Sequence, residues 1–143
     1  MHSMTSKSPI KGLGEIALQV NDLVAMQAFY EDVVGLRLLR RFEDSAFFAI
    51  AEGAAGHTQV LALFDRTAGD KVPLSYRRPP LDHIAFEIEL EDYAAELARL
   101  TDTGIDVKTS THAWTQWRSI YVTDPEGNIV EWVCYDATIG DDQ

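Results

Sequence analysis

Five side chains stand where residue type and spacing could do chemistry: Glu15, His83, His112, Tyr121 and Glu131. A histidine with carboxylates suits a hard or borderline divalent ion, such as Fe²⁺, Mn²⁺, Ni²⁺ or Mg²⁺. The same groups can move a proton at a substrate oxygen. Each has a plain structural alternative. A His and a Glu can pair with one another in a wet cavity and do nothing more. His112, close in sequence to Trp114 and Trp117, reads equally as an aromatic-packed surface group. Tyr121 reads equally as a core strand residue whose hydroxyl finds a backbone partner. His57 follows the loop GAAG and suits an exposed position. Arg118 could meet an anionic substrate, but a single strand arginine more often forms a surface ion pair.

An internal repeat positions these groups. GEIALQV at 14–20 and DHIAFEI at 82–88 align so that Glu15 meets His83 and Ala17 meets Ala85. Both segments alternate with period two, as a half-buried strand does. Ile16, Leu18 and Val20 form one face, and Glu15, Ala17 and Gln19 the other. In the second copy Ile84, Phe86 and Ile88 oppose His83, Ala85 and Glu87. A helix follows each strand. Asn21 or Asp22 caps the first, with Leu23, Met26, Phe29, Tyr30 and Val33 as its apolar stripe and Gly35 at its end. Tyr93, Leu97 and Leu100 mark the second, with Gly104 just past it. Three strands are expected after each helix: Leu36–Phe42, Ala46–Ala51 and Thr58–Phe64, then Val107–Thr111, Gln116–Val122 and Ile129–Tyr135. Asp124-Pro125-Glu126-Gly127-Asn128 is a turn between the last two. On the last strand Glu131 shares a face with Ile129, Val133 and Tyr135.

Each half therefore reads β-α-β-β-β. Module 1 covers 13–65, a proline-rich linker 66–80 and module 2 81–136, giving one domain over 13–136. Residues 1–12 read as a disordered leader. Residues 137–143 form a tail, and Asp136, Asp141 and Asp142 read as a solvated acidic cluster. One half buries a sheet face poorly, so the two should share a core. A chain of 143 residues buries about 68–70% of its unfolded surface and needs no staple.

Composition narrows the partners. Twelve basic against 23 acidic residues leave a net charge of −11, which repels nucleic-acid phosphates and anionic lipid. Cys134 is the only cysteine, so an intrachain disulfide and a cysteine zinc site are both excluded. That usage, with no secretory h-region and no apolar run of membrane length, points to the cytoplasm. The expected partner is a small molecule, with neither nucleic acid nor membrane.

EIALQVNDL, AFYEDVVGLRLL, DHIAFEI and above all YVTDPEGNIVEWV resemble the vicinal oxygen chelate superfamily from about Leu13 to Asp136. That superfamily includes glyoxalase I, extradiol ring-cleaving dioxygenases, fosfomycin-resistance enzymes, methylmalonyl-CoA epimerase and bleomycin-binding proteins. The resemblance implies an α+β fold. In it, two βαβββ modules form an open, eight-stranded, barrel-like mixed sheet with the helices outside. It also implies a homodimer. Metal ligands in the superfamily come from the start of each first strand and the middle of each fourth. Carried over, these places are Glu15, His83, Leu61 and Glu131, so Glu15, His83 and Glu131 become the ligands and Leu61 drops out. The implied cofactor is a divalent ion, Fe²⁺ or Mn²⁺ first, then Ni²⁺, Zn²⁺ or Mg²⁺. Three protein ligands leave positions open for water, substrate or oxygen.

In the extradiol dioxygenases a His, a Tyr and the ligand Glu recur in the order and near the spacing of His112, Tyr121 and Glu131. The resemblance makes His112 and Tyr121 catalytic donors to a catecholate and oxygen. Glu15 departs from that pattern, which has a histidine there. A glyoxalase I-like lyase or isomerase, acting through an enediolate beside the metal, is the alternative. Leu61 departs from that one, which has a glutamate. A third reading is a bleomycin-resistance-like protein that sequesters aromatic ligands between Trp114, Trp117, Trp132, Phe47 and Phe48.

Overall fold

The computed structural model describes Pro9, residues 12–68 and residues 81–140. Most of the expected leader and linker, and Asp141 and Asp142, lie outside the described residues. The chain divides into two compact units, Met1–Pro73 and Leu74–Gln143. Their strand orders repeat one another.

The first unit runs β1 (Glu15–Val20), α1 (Leu23–Ala28) with a π-wound extension (Phe29–Val34), β2 (Arg37–Arg41), β3 (Ser45–Glu52) and β4 (Thr58–Asp65). The sheet order is β1-β4-β3-β2. β1 lies parallel to β4, and the other pairs are antiparallel. Of the two candidate caps, Asp22 serves: its Oδ1 accepts from the Ala25 N–H at 3.0 Å. Leu23, Met26, Phe29 and Tyr30 are buried as the stripe requires, but Val34 is buried where Val33 was expected. The π winding closes i→i+5 bonds, so the apolar face advances by a residue in the last turn. Gly35 then ends the segment at φ 88°, where a side chain would be strained. Tyr30 packs beside Phe48 of β3 (6.4 Å between ring centroids), and both are fully buried with Met26, Leu61 and Leu63. Each such side chain contributes roughly 1.5–3 kcal/mol by leaving water.

The second unit runs β5 (His83–Glu87), α2 (Tyr93–Asp102), β6 (Lys108–His112), β7 (Trp117–Thr123) and β8 (Ile129–Tyr135), in the order β5-β8-β7-β6. β5 is parallel to β8. Helix α2 covers the face that carries Ile120 and Trp132. Leu100 is fully buried, Trp132 Nε1 donates to Glu96 Oε2 at 3.0 Å, and the Tyr93 hydroxyl donates to the Ser119 carbonyl at 3.4 Å. The hydrogen bond from Arg99 holds the Glu96 carboxyl below its ordinary value, and the Trp132 bond adds to this.

Two sequence expectations change here. Asp136 is no solvated tail residue. It is 5% exposed, pairs with Arg118 Nη2 at 2.9 Å and caps the turn at Thr138. Bonds from Thr138, then from Arg118, keep its carboxyl below the usual range. Arg118 lies over the Tyr93 ring, 5.8 Å from its centroid, and is engaged in that structure rather than with a ligand. The third-strand boundary also moves. β6 takes in His112 opposite Trp117, which makes His112 a ladder residue with a fixed direction.

The DPEGN motif sets the register of the last two strands. Asp124 Oδ1 accepts from the Glu126 and Asn128 N–H groups, both at 2.9 Å, and Oδ2 accepts from the Asn128 side chain at 2.8 Å. Asp124 N–H closes the loop on the Asn128 carbonyl at 2.8 Å, and Gly127 takes φ 88°. This turn fixes Thr123 against Ile129 and hence Tyr121 against Glu131. Asp124→Ala leaves three donors in a buried turn without their acceptor. It should lower the unfolding free energy by about 3 kcal/mol in a urea titration. A loss below about 1 kcal/mol would mean that the ladder, and not the turn, sets the register.

Candidate functional site

The second unit's sheet has one face under α2 and one face away from it. Strand alternation and register put His83 and Ala85 of β5, Glu131 and Val133 of β8, Trp117, Ser119 and Tyr121 of β7, and Ser110 and His112 of β6 on the latter. Ala85, Glu131 and Tyr121 form one row across three strands.

Glu131 is the centre of this face. Its side chain is only 6% exposed, yet both carboxylate oxygens meet an imidazole. His83 Nε2 stands 3.4 Å from Oε1, and His112 Nε2 stands 3.9 Å from Oε2. Both rings are partly open to solvent, at 46% and 37%. A buried carboxylate is costly unless paired, and here its partners are the two groups that a ligand can reach. Asp82 Oδ2 holds His83 Nδ1 at 2.7 Å. A carboxylate behind a histidine orients the ring and leaves the far nitrogen free to coordinate or accept. On the other side His112 Nε2 lies 2.7 Å from the Tyr121 hydroxyl, and Ser110 Oγ lies 3.2 Å from the former and 3.0 Å from the latter. In the neutral ring with its proton on Nδ1, one of the hydroxyls donates to Nε2. In the protonated ring Nε2–H donates outward.

Four of the five sequence candidates, His83, His112, Tyr121 and Glu131, thus come together within the second unit. Glu15 belongs to the first unit. It is exposed, heads β1 and lies in parallel register with Val60. Among the described residues, no three His, Cys, Asp or Glu side chains are gathered as a metal site; the geometry in hand is the His83–Glu131 pair with Asp82 behind it.

The register corrects one assignment. Glu131 lies beside Ala85, and Ala85 repeats Ala17, which lies beside Ala62. The first-unit counterpart of Glu131 is therefore Ala62. Leu61 instead pairs with Ile16 on the face packed by α1, fully buried. The alignment slipped by one residue because QVLALF is apolar at nearly every position and its alternation gives no parity. His57 and Gln59 share the Leu61 parity, so neither faces with Glu15. The aromatic groove also loses members. Phe48 packs against Tyr30, and Trp132 is held by Glu96, so both belong to the core. Trp114 and Trp117 keep 81% and 36% exposure. Ser110 was missed in the sequence; its alternation with His112 on β6 was the available signal.

The sequence matches the family model of the Glyoxalase/Bleomycin resistance protein/Dioxygenase superfamily over residues 12–132. The chain belongs to this superfamily. Among its curated relatives, the glyoxalase/dioxygenase chain is similar to "Biphenyl-2,3-diol 1,2-dioxygenase 3" of Rhodococcus globerulus. They are 31% identical across 83% of this chain and 60% of the relative, so the chain spans about three fifths of that protein. It is also similar to "Metallothiol transferase FosB" of Staphylococcus epidermidis, with 27% identity over 85% of this chain and 80% of the relative. Of solved structures, lactoylglutathione lyase from Agrobacterium tumefaciens superposes with a TM-score of 0.65 at 27% identity, covering 89% of this chain and 96% of that one. The paired β-α-β-β-β units are thus the glyoxalase/dioxygenase fold. No helix among the described residues is long and apolar enough to cross a membrane.

Proposed function

We propose that this chain is a metal-dependent enzyme that cleaves a small catecholic substrate with oxygen, in the manner of an extradiol dioxygenase. The observation that carries the reading is the Glu131 carboxylate, buried between His83 and His112 and in register with Tyr121. The donor chemistry fits an Fe²⁺ or Mn²⁺ ion, with one carboxylate oxygen and one imidazole nitrogen already facing each other and Asp82 orienting the ring. Glu15 heads β1 of the first unit as His83 heads β5 of the second, which makes it the repeat's equivalent of His83. When bound, the ion supplies a redox-capable Lewis acid for a ligand with two adjacent oxygens.

The chain's own residues do the rest. Glu131 and His83 hold the reacting end of the site. His112 accepts the proton of one substrate hydroxyl at Nε2, and the Tyr121 hydroxyl donates a hydrogen bond to the oxygen so exposed. Ser110 keeps the His112–Tyr121 pair oriented from its place on the same strand as His112. The reading includes a cytoplasmic homodimer acting on a small molecule. The free, buried Cys134 supports a reducing compartment.

A glyoxalase I-like lyase is the second reading, favoured by the likeness to lactoylglutathione lyase. Against it, Ala62 stands where that chemistry takes a fourth ligand. The two readings part on oxygen. Protein loaded with Fe²⁺ under nitrogen and then exposed to air should consume oxygen with at least one member of a catechol panel. Absence of uptake, together with anaerobic turnover of 2-oxoaldehyde thiol adducts on Mg²⁺- or Zn²⁺-loaded protein, would reverse the order.

A further inference from the structure

Lys108 heads β6, the edge strand of the second unit's sheet. It pairs with Tyr121 of β7, and Tyr121 pairs with Glu131 of β8, so the three stand in one row across three strands. Strand alternation puts Lys108 on the face of Ser110 and His112, which is the face that carries the site. Its side chain is exposed and makes no ion pair among the described residues. That isolation is not for want of carboxylates, since 23 acidic residues face 12 basic ones in the chain. The second unit's two described arginines are both engaged, Arg99 with Glu96 and Arg118 with Asp136. A lysine on an edge strand also deters pairing with another chain, but it does so from either face. On the site face, Lys108 is the only lysine or arginine among the described residues of this unit.

We infer that Lys108 is a specificity-determining residue that receives a carboxylate on the substrate. The inference rests on the catechol reading of the same site. Neighbouring strands lie about 4.8 Å apart, so Lys108 and Glu131 are roughly 10 Å apart at the backbone, with Tyr121 between them. With the two ring oxygens at the His83–Glu131 pair, a short arm on the opposite side of the ring covers that span. The lysine stem can lie along apolar surface while its ammonium stays in water, where it meets the end of the arm. An anionic substrate otherwise approaches a chain of net charge −11, which repels it. Lys108 offsets that repulsion where the anion would lie. The substrate class becomes a catechol with a carboxylate-bearing arm at the 4-position.

The test is an equilibrium titration of the Mn²⁺-loaded full chain under nitrogen with 3-(3,4-dihydroxyphenyl)propanoate and with its neutral amide. The two-carbon arm insulates the ring, so the catechol hydroxyls match in the two ligands. The wild type should bind the acid about fivefold more tightly at low salt, the upper end of what an exposed ion pair supplies. The preference should shrink as ionic strength rises. Lys108→Gln should abolish it or turn it toward the amide, and Lys108→Arg should keep it. Equal binding of acid and amide by the wild type, or an unchanged preference in Lys108→Gln, overturns the assignment while leaving the catechol site intact. If neither ligand binds the wild type, the catechol reading falls and the Lys108 inference falls with it.

Discussion

Chelator-stripped protein should take up about one Fe²⁺ or Mn²⁺ ion per chain, and either His83→Ala or Glu131→Ala should weaken that uptake by at least about 100-fold. The magnitude follows from the geometry. His83 Nε2 and Glu131 Oε1 face each other at 3.4 Å, while His112, the other imidazole on that face, stands farther off at 3.9 Å with its Nε2 on the Tyr121 hydroxyl at 2.7 Å. Asp82 touches only the far side of the ring, at Nδ1, so Asp82→Asn should cost about tenfold and no more. Isothermal titration of each variant, with a thermal melt beside it, separates two explanations. Were the pair merely structural, Glu131→Ala would still change the melt, because two imidazoles would lose their buried partner, but ion affinity would be unmoved.

Loss of the His112 imidazole should slow turnover by about 100-fold or more while leaving ion content at the wild-type level. His112 Nε2 is 3.9 Å from Glu131 but only 2.7 Å from the Tyr121 hydroxyl, so its nearest partner is a proton-bearing oxygen. His112→Phe keeps the ring volume opposite Trp117 and removes the nitrogen. Tyr121→Phe should cost less, about tenfold, because it takes away one donor and leaves the base in place. Single-turnover rates of ion-loaded variants give the comparison. Equal losses of ion and rate would move His112 into the metal's own ligand set.

Much of this was legible in the chain itself. The alternation of EIALQV and HIAFE gave both first strands and the side that each hides, since one face is wholly apolar. The Asn21–Asp22 pair and Gly35 gave the ends of the first helix, and the structure chose Asp22 as the cap. The DPEGN turn gave the β7–β8 connection, and the structure adds the register that pairs Tyr121 with Glu131. What escaped had separate causes, the first of which is parity lost where a strand is apolar at nearly every position. QVLALF is buried on both faces, so nothing in it distinguished Leu61 from Ala62. The π turn at Phe29–Val34 is invisible to a 3.6-residue pattern, and Val33 was taken for Val34.

The central claim is that the His83–Glu131 pair holds an ion to which a catechol binds beside His112 and Tyr121. Titration of the Mn²⁺-loaded protein with 4-nitrocatechol under nitrogen tests it most directly, because the ligand's absorption moves when its hydroxyl protons leave. The account predicts a saturable shift that requires the ion, is lost in Glu131→Ala and is weakened in His112→Phe. A shift of the same size in metal-free protein, or in Glu131→Ala, would contradict it.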